Sequence, residues 1–299
     1  VKPIVCYVGR GVPEKWRPWV HKGIEMWQPA FEEAGFSNAI LAKDAPSVRE
    51  DSDWDAEDAR YSSIRWLPST TENAMGPHVS DPRTGEILES DILVYHNVLK
   101  LIRDWYFIQA SPNDPSAQKL PLPDDTMGRA LAYVVAHEVG HTLGFPHNMK
   151  ASSTYSVDQL RDAEFTAEFG TEASIMDYGR FNYVAQPGDG ARLIPLIGPY
   201  DKFAVEWGYR QYANAKQEKQ GQSELLAMQV DNPMLRFGDP NPSEDPSQQT
   251  EDLGADPIGA TAMGLKNLDR VASYLVDACC DEGEDYSLLD NMYGQLIGQ

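Results

Sequence analysis

Apolar residues recur along this chain in two rhythms, one of strands and one of helices. VKPIVCYVG at residues 1–9 reads as a first strand, and residues 14–35, EKWRPWVHKGIEMWQPAFEEAG, read as a long helix ended by Gly35. NAILAKDAP at 38–46 and SSIRWLP at 62–68 follow as strands, the second closed by Pro68 and Ser69. Between Met75 and Asn97 two extended runs flank a turn around Thr84 and Gly85. Residues 76–80 are the candidate for a strand at the sheet edge, where free backbone donors and acceptors can pair with a peptide. Farther on, Leu131, Val135, Val139 and Leu143 repeat every four residues, and Pro123, Asp124 and Asp125 ahead of them suit a helix start. Strands interleaved with helices predict an α/β core.

The second half is mainly helical in pattern. Ser156 with Gln159 predicts a capping box for a helix running to about Phe169, with Gly170 ending it. GPYDKFAVEWGYR starts another helix after Pro199. From Gln211 the character changes: residues 211–223 are polar, a linker or an exposed helix, and residues 239–257 are rich in proline and acid and read as an irregular loop. The loop carboxylates could hold a structural Ca2+, although their spacing is not that of an EF-hand and a solvated acidic loop is the simpler account. Residues 264–280 and 286–298 return to helical spacing. The expected division is a catalytic domain over 1–210, with an upper subdomain 1–144 and a lower subdomain 145–210. An acidic loop and helical region would then fill 211–299, with more helices beyond Gln299 in a longer multidomain protein.

Charge narrows the partners. With 46 acidic against 25 basic residues the net charge is −21, which argues against nucleic acid or anionic membrane, since both need clustered positive charge. No apolar run approaches the length of a membrane span. The chain opens at Val1 without a visible signal peptide, which suits a mature product or an excised domain whose targeting segment has been removed. Together these fit a secreted or periplasmic hydrolase. Cys279 and Cys280 are adjacent, a strained arrangement for a bridge, and Cys6 sits in an apolar strand as a buried, inert thiol.

Residues 137–147, HEVGHTLGFPH, carry the chemistry. His137 and His141 lie one helical turn apart on one face and can offer both imidazoles to a single ion. Glu138 is offset round the helix, poorly placed as a third ligand but within reach of a water on that ion. Gly144 can take the left-handed backbone that ends a helix, letting His147 return as the third ligand. Three protein ligands with one open position describe a catalytic zinc, because structural sites are closed by four. A bare HExxH pattern arises by chance in roughly one chain in a hundred, and the glycine and third histidine lower that on the order of a hundredfold.

SIMDY at 174–178 supplies a second element. With HExxHxxGxxH, it makes the chain resemble the metzincin clan of zinc proteases, in which a methionine turn lies beneath the metal. Met176 matches that methionine, and Tyr178 matches the tyrosine that astacin-like and serralysin-like members place near zinc. The longer strings LGFPHNMKAS and SIMDYGRFNYVAQP resemble a narrower group, bacterial proteins with a Met-zincin domain. The resemblance implies a twisted mixed sheet over a zinc helix with a smaller helical lower subdomain, and a zinc endopeptidase acting on peptides or proteins. Zinc would be held by His137, His141 and His147, with Glu138 as general base and Tyr178 donating a hydrogen bond to the oxyanion. Two other functions stay open: a peptide-binding module that keeps zinc without turnover, and an amidase acting on non-protein amides. His21 and His96 read as surface or hydrogen-bonded histidines. His78 could touch substrate if the edge strand lies where expected. Trp16, Trp19 and Trp27 follow helical spacing and read as packing.

Overall fold

A computed structural model describes residues 2–238, 245–283 and 285–299. The apolar runs at the start form β1 (Ile4–Val8), and the segment after it was expected to be one long helix. It is two, α1 (Arg17–Glu25) and α2 (Gln28–Glu33). Pro29 explains the break: it has no N–H to give to the carbonyl of Glu25, the last residue of α1. The chain then lays down β2 (Ile40–Asp44), β3 (Ser62–Leu67), the short β4 (Ala74–Met75) and β5 (His78–Ser80), and β6 (Ile87–Tyr95). The strand order is β2-β1-β3-β6-β4, with β5 also on β6. β1, β2, β3 and β6 are parallel, Ile4 facing Ile40 and Ile64 facing Ile92, whereas β4 and β5 run antiparallel along β6. The sheet is therefore mixed, and residues 74–80 form its edge, interrupted at Gly76 and Pro77. The hairpin to β6 turns where Thr84 N–H donates to Asp81 at 3.2 Å.

Two helices continue from the sheet, α3 (Val98–Ala110) and the long α4 (Asp124–Thr142). α4 packs across α1, and small residues let it come close: a Cβ on Gly23 would sit 2.7 Å from Val135, and one on Gly128 would sit 2.1 Å from the Trp19 ring. Trp27 is fully buried and its indole N–H donates to the Ala136 carbonyl at 2.8 Å. Truncating such a side chain to alanine typically costs about 3–5 kcal/mol. Leu131, Val135, Val139 and Leu143 are all buried, but the burial extends almost round the helix instead of following one stripe.

The lower half begins with the expected capping box between Ser156 and Gln159, although the helix it starts is split into α5 (Val157–Arg161) and α6 (Ala163–Phe169). Asp162 leaves helical geometry and recaps the second piece by accepting from Phe165 N–H at 2.7 Å. Gly170 ends α6. Then come α7 (Pro199–Tyr209), α8 (Ala215–Asp231), α9 (Pro257–Cys279) and α10 (Ser287–Gly298). The polar stretch from Gln211 mostly enters α8, an exposed helix. α9 and α10 pack on α3: Val271, Leu275 and Met292 belong to the same apolar cluster as α4, and Asn291 donates to Asp104 at 2.8 Å. Cys6 is buried, which pushes its thiol up to about 12, and Cys279 and Cys280 are free thiols. Among the described residues no helix is long and apolar enough to cross a membrane.

Candidate active site

The end of α4 brings two histidines to one place and then reverses. His137 and His141 have ring centroids 4.9 Å apart. Gly144 adopts φ +91°, a conformation L side chains resist, and the turn it makes is closed by Phe145 N–H donating to the Gly140 carbonyl at 3.1 Å. The reversed chain presents the Phe145 carbonyl to His141 Nδ1 at 2.9 Å and returns His147, whose Nε2 lies 3.1 Å from His141 Nε2. One ligand atom from each of the three histidines lies within 4.8 Å of the others.

A second segment fixes the first histidine. His137 Nδ1 donates to the carbonyl of Ile175 at 2.7 Å, so its lone pair sits on Nε2, and that atom is buried without any hydrogen-bond partner. The same reasoning puts the His141 proton on Nδ1. A buried imidazole nitrogen without a donor facing it, converging with two others, fits a tetrahedral zinc, for which ligand nitrogens stand roughly 3.3 Å apart given bonds of about 2.05 Å. Burial, reinforced by the neighbouring histidines, lowers His137 to about 3 and His147 to about 4, and burial also lowers His141. All three are neutral near pH 7 and can act as ligands.

The turn carrying Ile175 is held from below. Asp201, near the start of α7, accepts from Ser174 Oγ at 2.6 Å, Ile175 N–H at 2.8 Å and Gly198 N–H at 2.7 Å. Met176 is buried under α4, its sulfur against Gly140, and its carbonyl accepts from Asn148 N–H at 3.0 Å. The neighbouring loop 245–256 straps this floor: Glu251 N–H donates to the Tyr178 carbonyl at 3.1 Å, Ser152 Oγ donates to Asp252 at 3.0 Å, and Leu253 N–H donates to the Tyr183 hydroxyl at 2.9 Å.

Glu138 points to the other side of the histidines, into a cleft of about 650 Å³. Burial pushes its carboxyl up to about 7, partly offset by a hydrogen bond from the Gly76 N–H. That edge strand runs against the helix backbone itself, since a Cβ on Gly76 would sit 2.3 Å from the Glu138 carbonyl oxygen. Tyr178 flanks the trio with its ring centroid 4.4 Å from His147 and 5.4 Å from His137, and it is 40% exposed. Burial and the Glu138 charge raise its hydroxyl. The far wall is apolar, built from Val98, Leu101 and Trp105 of α3 with Val134 of α4. Arg180 lies flat on Trp105 at 3.4 Å and pairs with Glu251.

The structure thus brings together His137, Glu138, His141, His147 and Tyr178, and it puts Met176 beneath them. His21 pairs with Asp44 at 3.1 Å and His96 accepts from the Trp66 indole at 3.2 Å, both away from the cleft. His78 is exposed on β5 and faces a neighbouring groove. The expected calcium site is corrected: among the described residues the histidine trio is the one group of three or more such side chains able to hold an ion. The Asp239 to Glu244 part of the acidic loop lies outside the described residues. Gly76, Asp201, Trp105 and Arg180 were not anticipated. Asp201 had a signal, an acidic residue just inside the Pro199 helix start, but nothing local marked its partners. The sequence model of the family described as Met-zincin matches residues 119–299, more than half of the chain. No curated protein and no solved structure matches it.

Proposed function

We propose, from the premise that the chain belongs to the Met-zincin family, that it is a zinc-dependent endopeptidase. The single observation that carries this is the buried, partnerless His137 Nε2 converging with His141 and His147, beside a carboxyl in a cleft walled by a sheet edge. His137, His141 and His147 would hold the zinc. When bound there, zinc supplies Lewis acidity, lowering the pKa of a water in the site towards about 7 and polarising an amide carbonyl.

The rest falls to the chain's own groups. Glu138, held at the cleft wall, takes the proton of the attacking water and returns it to the leaving amine; a carboxyl raised by burial is suited to both directions. Tyr178, ring against the trio, donates its hydroxyl proton to the oxyanion of the tetrahedral intermediate. The edge residues 74–80 offer main-chain donors and acceptors to an extended peptide, which supports a peptide over a small amide as substrate. Residues 1–210 carry this machinery, and residues 245–256 complete its floor. An extracytoplasmic setting fits the acidic surface and the family resemblance.

The test is cleavage-site profiling of a random peptide library with zinc-loaded protein, against the same protein after chelation. Internal cleavage that disappears with the metal and returns with zinc supports the endopeptidase. Zinc bound at one equivalent without any cleavage favours a binding module.

A further inference from the structure

A second groove begins where the catalytic cleft stops. The two are lined by successive residues of the same two strings. Gly76 and Pro77 line the cleft and His78 and Ser80 the groove; His141 and His147 line the cleft, and Gly144 and Pro146 the groove. The groove is larger, about 930 Å³, and its outer wall comes from α7, α8 and the segment after it. Trp207, Leu226 and Phe237 form that wall with 43%, 47% and 41% of their surfaces exposed, and Tyr200 stacks on Phe237 at 6.2 Å. Large apolar side chains clustered in the open at a concave site mark a binding surface more often than chance exposure does.

Continuity decides what occupies it. β5 forms hydrogen bonds to β6 on one side only, so a peptide added at the edge residues beside Glu138 is guided along His78 and Ser80 into the groove. We infer that this groove extends the peptide-binding cleft and takes apolar or aromatic side chains of the substrate several residues from the scissile bond. The substrate class is then a long, extended peptide with a hydrophobic segment, not a di- or tripeptide. This rests on the proposed peptidase activity for its catalytic consequence, but not for binding.

The experiment uses fluorogenic peptides sharing one cleavable centre. One is short; others are lengthened at either end by roughly four residues, about 13 Å of extended chain, carrying Phe and Leu or only Ser and Gly. The apolar extension at one end should raise kcat/KM on the order of tenfold over the short peptide, mainly through KM, and the Ser and Gly extension should not. In the Trp207→Ala, Phe237→Ala double variant the advantage of the long apolar peptide should vanish. Both side chains are exposed, and an unchanged melting curve would show the fold intact. In parallel, anisotropy of the labelled long peptide is followed on the Glu138→Gln chain. Tighter binding of the apolar peptide there without cleavage by the parent would sink the peptidase and leave the groove standing. Cleavage that ignores length and composition, or an advantage that survives the double variant, would overturn the groove, as would equal binding of all peptides.

Discussion

The sulfur of Met176 occupies the space that a side chain on Gly140 would need: a Cβ there would sit 2.2 Å from Sδ and 2.8 Å from the Trp27 ring. Gly140 is the residue immediately before His141, so the methionine turn touches the helix between its two histidines. Replacing glycine by alanine inside a helix ordinarily stabilises by about 1 kcal/mol. Here the sign should reverse. Gly140→Ala is expected to cost about 1–3 kcal/mol through overpacking, lowering Tm by about 2–4 °C per kcal/mol in a chain of this size. Combining it with Met176→Ala should cost less than the sum of the two single changes. A raised Tm for Gly140→Ala would show that the turn does not press on the helix.

Glu138→Gln should keep one zinc per chain and the parental Tm while losing peptide cleavage by at least about a hundredfold. His141→Ala separates the two functions, since it should lose stoichiometric zinc as well. Metal content by elemental analysis and initial rates on one peptide check both. Full activity in Glu138→Gln would remove the assigned base.

Tyr178→Phe should lower kcat with little change in KM or zinc content, because the hydroxyl acts on the transition state and the ring remains against His147. Removing one oxyanion donor commonly costs about a hundredfold or more, and a smaller loss is expected beside a metal that shares the charge. Tyr178 is half-exposed on the cleft, so its fold contribution should be slight. A fall in Tm with unchanged kcat would assign it to packing instead.

Glu172 gives a pH prediction. It is fully buried, one oxygen accepts from Gly179 N–H at 3.1 Å, and the other has no partner; burial, then the Asp177 charge, raises it well above its ordinary 4.5. A carboxyl raised in the folded state keeps its proton there after the unfolded chain has lost it. Its stabilising contribution is therefore full below about 4.5 and is lost as pH rises towards the folded value. Glu172→Gln, a neutral replacement of the same shape, should flatten the decline of Tm between about pH 5 and 8. An identical pH profile in the two proteins would show that Glu172 does not titrate across this range.

How much of this was legible in the chain follows from how local each cause is. The histidine spacing, the Gly144 reversal and the Ser156–Gln159 cap depend on neighbours within a few residues, and the structure has all three. The break at Pro29 was equally local and should have been read, since the residue four before it loses its hydrogen-bond donor. Asp162 was harder, as an aspartate within a helical run can either stay in it or recap. The support of His137 by Ile175, of Ile175 by Asp201 and of Tyr178 by Glu251 joins segments 26 to 73 residues apart, and periodicity carries no trace of such pairings. The α4 helix had an expected dry face, but its burial on other sides comes from α1 and the methionine turn, which pattern alone could not place.

Gly76 gives the cleft a hard stop. Where most clefts owe their width to side chains that rotamers can open or shut, the distance between sheet edge and helix is set here by a single hydrogen atom meeting a carbonyl oxygen. Any larger residue would have to push the edge strand off the helix, taking with it the N–H that steadies Glu138. Binding and proton transfer therefore share one mechanical gauge. Directed changes in substrate preference should be sought in the apolar walls, because this position can vary only by altering both at once.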